Sequence, residues 1–366
     1  MSAMCRVGCA GWLALALCAA SAAQPAKPTK LRTPETSHYD VPIGVQRLFL
    51  QAQLQYWAGQ YAPALKKITS ALAEAPDYVE GHHLYQDIRT ALDETEGVIA
   101  RYRSRLKRKP DDPVSHYLLG RVVPDLKEKE ALFRRAAKLD PKLPWPHYGL
   151  GHLYERQRKW LDSEKAFKAA VSLKPTEAPF QHGLGFCYLQ QGRNEDAEKA
   201  FKAALACDAD HVDSLVNLSV IALRRKAYPE AEAYCHQALK VDKDNPWAQN
   251  NLGKACFWQG KNTAALRAYK AAASSPRYDT PEVAYLNMGF VYRRQNKPAQ
   301  AAAAFRRAIE LRADFAYAHV MLAYVLYDQQ KYAEAWAEVK KAEKLGYTVH
   351  AEFLKALSQA APRPEQ

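Results

Sequence analysis

Three asparagines pose the chemical question. Asn217, Asn251 and Asn287 follow one another at steps of 34 and 36 residues, each two places ahead of a small residue (Ser219, Gly253, Gly289). A side-chain amide offers both a donor and an acceptor, so a row of them can pair both polar groups of an extended peptide backbone. Each such bond nets about 1 kcal/mol and three give about 3 kcal/mol. A millimolar complex needs ~4 kcal/mol, so side-chain anchors must add to them. Trp145, Phe186, Trp247, Phe290, Tyr317 and Tyr324 recur at matching places and are suited to that role. Arg224, Lys254, Arg293 and Arg294 add positive charge, which favours a ligand with acidic groups or a free C-terminal carboxylate. The alternative use of each asparagine is internal, as a cap or cross-link of its own helices.

Catalytic and metal patterns point nowhere. The chain has no Gly-rich phosphate loop, no His-Glu-x-x-His and no Gly-x-Ser-x-Gly. His147 and His152 are five apart, off one helix face. His152 and His182 could approach across neighbouring helices, but two histidines without a third ligand make a poor metal site. His116, His147 and His319 share one register and are expected to face the core. Cys187, Cys207, Cys235 and Cys256 form no Cys-x-x-Cys pair and read as free thiols in helices. The expectation is a non-enzymatic chain with no cofactor and no metal.

The elements that position these residues are periodic. Gly151, Gly185, Ser219 and Gly253 stand 34 apart, Gly289 follows after 36, and Ala323 after another 34. Ala170, Ala204, Ala238, Ala272, Ala308 and Ala342 keep the same step. A period near 34 marks a stack of helical hairpins. Ala, Leu, Lys, Glu and Gln fill the periodic stretches, and these are strong helix formers. The spacing predicts an all-α solenoid of about nine stacked hairpins with a C-terminal capping helix. Residues 41–143 read as degenerate repeats, 144–349 as regular ones, 350–359 as the capping helix and 360–366 as a disordered tail. Within 113–143, Pro124-Asp125 truncates the inner turn and the second helix is expected from Leu126. Gly346 ends the last regular helix, as a left-handed glycine does.

These residues resemble the tetratricopeptide repeat (TPR) family. Leu150-Gly151, Tyr154, Ser163, Phe167, Ala170 and Pro175 stand where that family has its Leu-Gly, Tyr, Ala, aromatic, Ala and Pro. Leu184-Gly185, Tyr188, Ala197, Phe201 and Ala204 repeat the pattern; so do Leu252-Gly253, Ala265, Tyr269 and Ala272, and Met288-Gly289, Tyr292, Ala301, Phe305 and Ala308. The resemblance covers about residues 45–346 and is weakest before Pro144. It implies a right-handed superhelix whose first helices line a concave groove, and binding of peptides or proteins rather than catalysis. The groove position held by Gly149, Gly183, Asn217, Asn251, Asn287 and Met321 is where O-linked N-acetylglucosamine transferases carry an asparagine ladder on peptide backbone. The chaperone-tail clamp of the family is absent, since Asp213, Val216 and Val283 stand where its basic residues would be sought.

The net charge is +13 with a pI near 9.3. Such a balance draws acidic partners. Arg101, Arg103, Arg105, Lys107, Arg108 and Lys109 form the densest basic run. It supports a second reading, a polyanion or membrane-surface binder through residues 101–109; a third is an accessory subunit of an enzyme complex. Arg6, the apolar run Val7–Ala20 and Ala20-Ser21-Ala22 read as a signal peptide over 1–23, followed by a flexible tether over 24–40. Export to the periplasm or medium is expected, with cell-envelope assembly as a role by analogy. Leu17 argues against a lipoprotein box at Cys18. The expected partner is a protein or extended peptide of acidic character. No nucleic acid and no stable membrane insertion are expected.

Overall fold

The computed structural model describes residues 41–363. The segments read as signal peptide and tether lie outside the described residues, as does the end of the expected tail. The described chain holds nineteen α-helices and no strand. It divides into two compact units inside α11 (Val212–Arg224), one ending at Asn217 and the other starting at Leu218.

The N-terminal unit pairs α1 (Ile43–Trp57) with α2 (Tyr61–Glu74), α3 (Val79–Ala91) with α4 (Thr95–Arg108), and α5 (Pro113–Val122) with α6 (Leu126–Leu139). Then come α7 (Pro144–Arg156) with α8 (Trp160–Leu173) and α9 (Ala178–Gln190) with α10 (Asn194–Cys207). Helix α5 has ten residues and α6 starts at Leu126, so the inner turn is shortened where Pro124-Asp125 says it should be. Asp125 caps α6, accepting from the Glu128 amide at 2.7 Å.

The C-terminal unit continues with α12 (Tyr228–Val241), α13 (Pro246–Trp258) with α14 (Asn262–Ser274), and α15 (Pro281–Arg294) with α16 (Pro298–Leu311). Helices α17 (Ala316–Asp328) and α18 (Tyr332–Lys344) form the last hairpin, and α19 (Ala351–Ala360) follows. Gly346 takes φ +80° just past α18. Phe353 and Leu357 of α19 are buried, and the Phe353 ring lies 4.1 Å from that of Tyr324. Trp336 donates to the Ala361 carbonyl at 3.2 Å. The last helix therefore covers an apolar end that would otherwise face water, as a solenoid terminus requires.

Glycine and ring interlock to set the stacking. A Cβ on Gly151 would stand 2.7 Å from Phe167 of the same hairpin, and one on Gly183 of the next hairpin 2.5 Å from that same ring. Phe133 is held likewise, between Gly120 (2.6 Å) and Gly149 (2.8 Å). These two rings thus have a glycine on both sides, one in the ring's own first helix and one in the next; Phe201, Tyr269 and Phe305 keep only the first. Burying such a ring contributes about 2–3 kcal/mol, and only a missing Cβ allows the approach. Ser163 replaces the usual alanine without penalty because its hydroxyl donates to the Gly151 carbonyl at 2.7 Å.

Within each unit the second helix of a hairpin packs on its own first helix and on the next one; successive first helices also touch, as α5 with α7, α7 with α9, and α13 with α15. This draws the first helices of each unit onto one face. The residues singled out for binding from the sequence all lie on first helices.

Candidate peptide-binding site

Of the thirteen residues assigned to binding, Trp145, Phe186 and Asn217 belong to the N-terminal unit and the other ten to the C-terminal unit. In the C-terminal unit, α13 starts cleanly because Pro246 needs no amide partner and Asn245 caps the Ala248 amide at 2.9 Å. It presents Trp247, Asn250, Asn251 and Lys254. Helix α15 presents Asn287, Phe290 and Arg293, and α17 presents Tyr317 and Tyr324.

The asparagines sit in the seams between hairpins. Asn251 is 6% exposed and donates to the Ser219 hydroxyl at 3.0 Å. Asn287 is 3% exposed and donates to Asn250 Oδ1 at 3.1 Å. Asn217, half-buried, meets His182 Nε2 at 2.9 Å. Each bond runs to the preceding first helix, not within its own hairpin. The register explains this: Gly149 and Gly183 hold the same repeat position and abut the ring of the hairpin before. A side chain there reaches back across the seam.

The aromatic residues differ in exposure. Trp145 is 3% exposed, with ring contacts to His83 (4.8 Å), Phe180 (5.0 Å) and Tyr148 (6.1 Å). Its packing fills the interior of its unit. Phe186 is half-buried beside Trp160 at 6.5 Å. Trp247 is half-buried, meets Tyr278 edge-on at 6.4 Å, and its indole Nε1 is enclosed without a hydrogen-bond partner. Phe290, Tyr317 and Tyr347 form a half-buried strip, with centroids 6.2 Å and then 6.0 Å apart. Tyr347, just past Gly346, is a member that the periodicity did not mark because it follows the last repeat.

The four basic residues singled out from the sequence lie on α11, α13 and α15. The Arg293 guanidinium lies 5.7 Å above the Tyr324 ring and 3.9 Å from Asp328. Partial desolvation raises the pKa of Tyr324 and of Asp328, with Arg293 opposing both shifts. Arg294 stacks over Phe257 at 3.9 Å and donates to Asn262 Oδ1 at 3.0 Å. Desolvation lowers the pKa of Arg294 and Arg224, and both stay cationic at neutral pH because the reference value is so high. Lys254 is half-buried on α13.

Among the described residues no group of three or more His, Cys, Asp and Glu is placed to hold a metal ion. His152 pairs with Glu155 at 2.9 Å, while the His182 ring lies 5.2 Å from His211. Burial, with His211 adding repulsion, pushes His182 down to about 4. Only His319 of the three histidines expected in the core is buried; His116 and His147 are half-buried. Cys187, Cys235 and Cys256 are buried free thiols, and Cys207 is exposed. On α4 half of the basic run is engaged by the protein itself. Arg101 lies over the Tyr85 ring at 4.7 Å, Arg103 pairs with Glu128 at 3.0 Å, and Arg105 binds Asp112 at 3.1 Å.

Residues 148–211 and 286–346 match the tetratricopeptide repeat model. Residues 180–301 match that of the middle TPR-like domain of cilia- and flagella-associated protein 70. No curated protein matches the sequence. Among solved structures, a chain of the APC/C hetero-tetramer Cut9-Hcn1 is similar at 18% identity and TM-score 0.63, over 76% of this chain and 55% of that one. This chain therefore spans about half the length of that relative. The human IFIT1 dimer with m7Gppp-AAAA is similar at 15% identity and TM-score 0.57, over 89% of this chain and 82% of that one. A tetratricopeptide repeat protein from Parabacteroides merdae is 19% identical, with TM-score 0.49, over 73% of this chain and 98% of that one. At these identities the likeness is one of fold. Tetratricopeptide proteins in general are non-catalytic mediators of protein–protein interaction. By its stacked hairpins and by the two models together, the stretch from residue 148 to 346 is built of tetratricopeptide-type repeats.

Proposed function

We propose that the chain is a non-enzymatic scaffold that holds an extended segment of a partner protein on the first-helix face of its C-terminal unit. The observation that carries this reading is the half-buried strip Phe290–Tyr317–Tyr347, in a unit where Arg293 lies over Tyr324 and Lys254 stands half-buried on α13. Half-covered rings fixed by their neighbours lose little freedom on binding, so they serve as anchors for apolar side chains. The cations favour a segment with carboxylates beside those apolar residues. Asn251 and Asn287 enter this reading as supports that fix α13 and α15, since their Nδ2 atoms already donate within the protein. Pairing with a ligand backbone through those same donors would require these bonds to open.

Photo-crosslinking tests the proposal. Benzoylphenylalanine in place of Tyr317 should give a discrete adduct with a partner protein in the producing cell, and the same group in place of the exposed Leu161 should not. Equal adduct patterns from both positions would remove the assignment of this face. Export and a role in the cell envelope are a separate proposal, resting on the run Val7–Ala20 and the small residues after it. N-terminal sequencing of the mature chain should begin at Ala23 or Gln24; an intact Met1 would discard it.

A further inference from the structure

Three of the four turns inside the hairpins of the C-terminal unit break a local rule in the same sense. The N-cap positions of α14, α16 and α18 are Lys261, Lys297 and Lys331, and none makes a side-chain cap bond. Asn, Asp, Ser or Thr there would satisfy free amides at the helix start, and the helix dipole disfavours a cation at that end. Lys226, next to the N-cap of α12, is also basic and sits at φ +61°. The other unit makes the same choice at Lys159 and Arg193, the N-caps of α8 and α10, so what sets this edge apart is the charge left unneutralised around an exposed tryptophan.

Carboxylates neutralise part of that edge. Arg225 is held by Glu230 at 2.9 Å and Lys261 by Glu232 at 2.7 Å, while Lys331 stands 3.9 Å from Glu334. Lys226 and Lys297 are exposed, and Arg294 is engaged by neutral groups, the Asn262 amide and the Phe257 ring. The edge keeps an excess of positive charge. Among these cations lies Trp258, 37% exposed at the end of α13. Its ring is stacked on Tyr228 at 5.9 Å and 11°, and Phe257 meets it edge-on at 5.4 Å.

We propose that this edge docks on an anionic phospholipid surface, with Lys226, Lys297 and Arg294 against headgroup phosphates and Trp258 at the interface. Clustered basic residues are attracted to anionic leaflets, and tryptophan favours the headgroup level, where one end is apolar and the other wet. The stacking decides against nucleic acid. Single strands are held by bases laid on open aromatic faces, and one face of Trp258 is already partly covered by the offset Tyr228 ring. Attachment is peripheral, since no helix among the described residues is long and apolar enough to cross a membrane. The surface uses none of Phe290, Tyr317 and Tyr347, so it stands or falls separately from the peptide strip.

Sedimentation of the full chain with phosphatidylcholine vesicles, with and without phosphatidylserine, tests the proposal. The chain should bind only the phosphatidylserine vesicles, less so as salt rises. Lys226→Gln/Lys297→Gln should weaken binding about 25-fold, at about fivefold for each charge removed. Trp258→Ala should weaken it without altering the salt dependence. Lys107→Gln/Arg108→Gln on α4 should leave it unchanged. Absence of binding, equal binding to neutral vesicles, or unchanged binding of Lys226→Gln/Lys297→Gln would overturn the proposal. A single-stranded oligonucleotide bound as tightly as the vesicles would overturn it in favour of nucleic acid.

Discussion

Asn287 Nδ2 donates to Asn250 Oδ1 across 3.1 Å, joining α15 to α13 where both side chains are closed off from solvent. A buried amide pair of this kind is costly to break, because the partner left behind loses its bond without regaining water. Asn287→Ala should therefore destabilise the C-terminal unit by about 1–3 kcal/mol, read as a lower urea midpoint at unchanged slope. Asn250→Ala should cost a similar amount, and the double variant clearly less than the sum. Additive losses would mean the two amides act apart.

The glycine–ring interlock predicts a second sensitivity. A Cβ on Gly253 would come within 2.5 Å of Tyr269, a ring fully enclosed in its hairpin. Gly253→Ala should cost about 1–3 kcal/mol through overpacking, although alanine favours helix. Gly97→Ala, on α4 with nothing near the added carbon, should be neutral or stabilising. Thermal melts of the two variants check the contrast.

His82 makes stability depend on pH. It is buried, with Nδ1 facing the Tyr102 hydroxyl at 3.0 Å and Nε2 the Pro76 carbonyl at 2.8 Å. Burial pushes its pKa down to about 3; the Pro76 carbonyl and Asp112 oppose the shift, while Arg105 and Arg101 add to it. The folded value lies below the unfolded one, so the unfolded chain takes the proton first. The contribution is full above pH ~6.5 and is lost as pH falls toward 3, about 2 kcal/mol by pH 5. His82→Gln should lower stability at pH 8 and flatten the fall between pH 8 and 5 without abolishing it, because His182, held at about 4, contributes a similar slope in that window and the lowered His147 adds to it. An unchanged slope would assign the pH dependence elsewhere.

Thiol reactivity should single out one cysteine of the repeats. Cys207 is exposed, while burial pushes Cys187 and Cys235 up to about 12. Alkylation of the native chain followed by peptide mapping should label Cys207, faster at pH 9 than at pH 7 because its own pKa is raised by partial burial. Cys187, Cys235 and Cys256 should label only after denaturation. Native labelling of Cys235 would contradict the packing of α12.

Much of the fold was legible because 34-residue spacing, Leu-Gly pairs and Ala-x-x-x-aromatic runs all describe one packing unit. The shortened α5 could be read from Pro124-Asp125, and the end of α18 from Gly346. The face each side chain takes was harder to read. A residue beside the Leu-Gly pair can point to the open face or into the seam, and one-dimensional spacing is the same for both. Gly149 and Gly183 carried the deciding hint: a position that must be glycine against Phe133 and Phe167 lies in a seam, so asparagine there is enclosed. Trp145 was buried by partners from other repeats, His83 two hairpins earlier and Phe180 in the next, which no pattern within one repeat reveals. The basic turn edge was visible residue by residue, but the meaning of Lys297 and Lys331 depended on knowing that they occupy helix N-caps.

The account rests on the strip Phe290–Tyr317–Tyr347 as the holding surface for a partner segment. Isothermal titration is the direct test, using an acidic peptide selected from a random library on the wild-type chain. Phe290→Ala/Tyr317→Ala should weaken binding at least ~30-fold, the loss of an aromatic hot spot of about 2 kcal/mol or more, at a temperature well below the melting point of the variant, which should fall because Phe290 also packs on Phe305. Equal affinity for the wild type and for this variant would contradict the account.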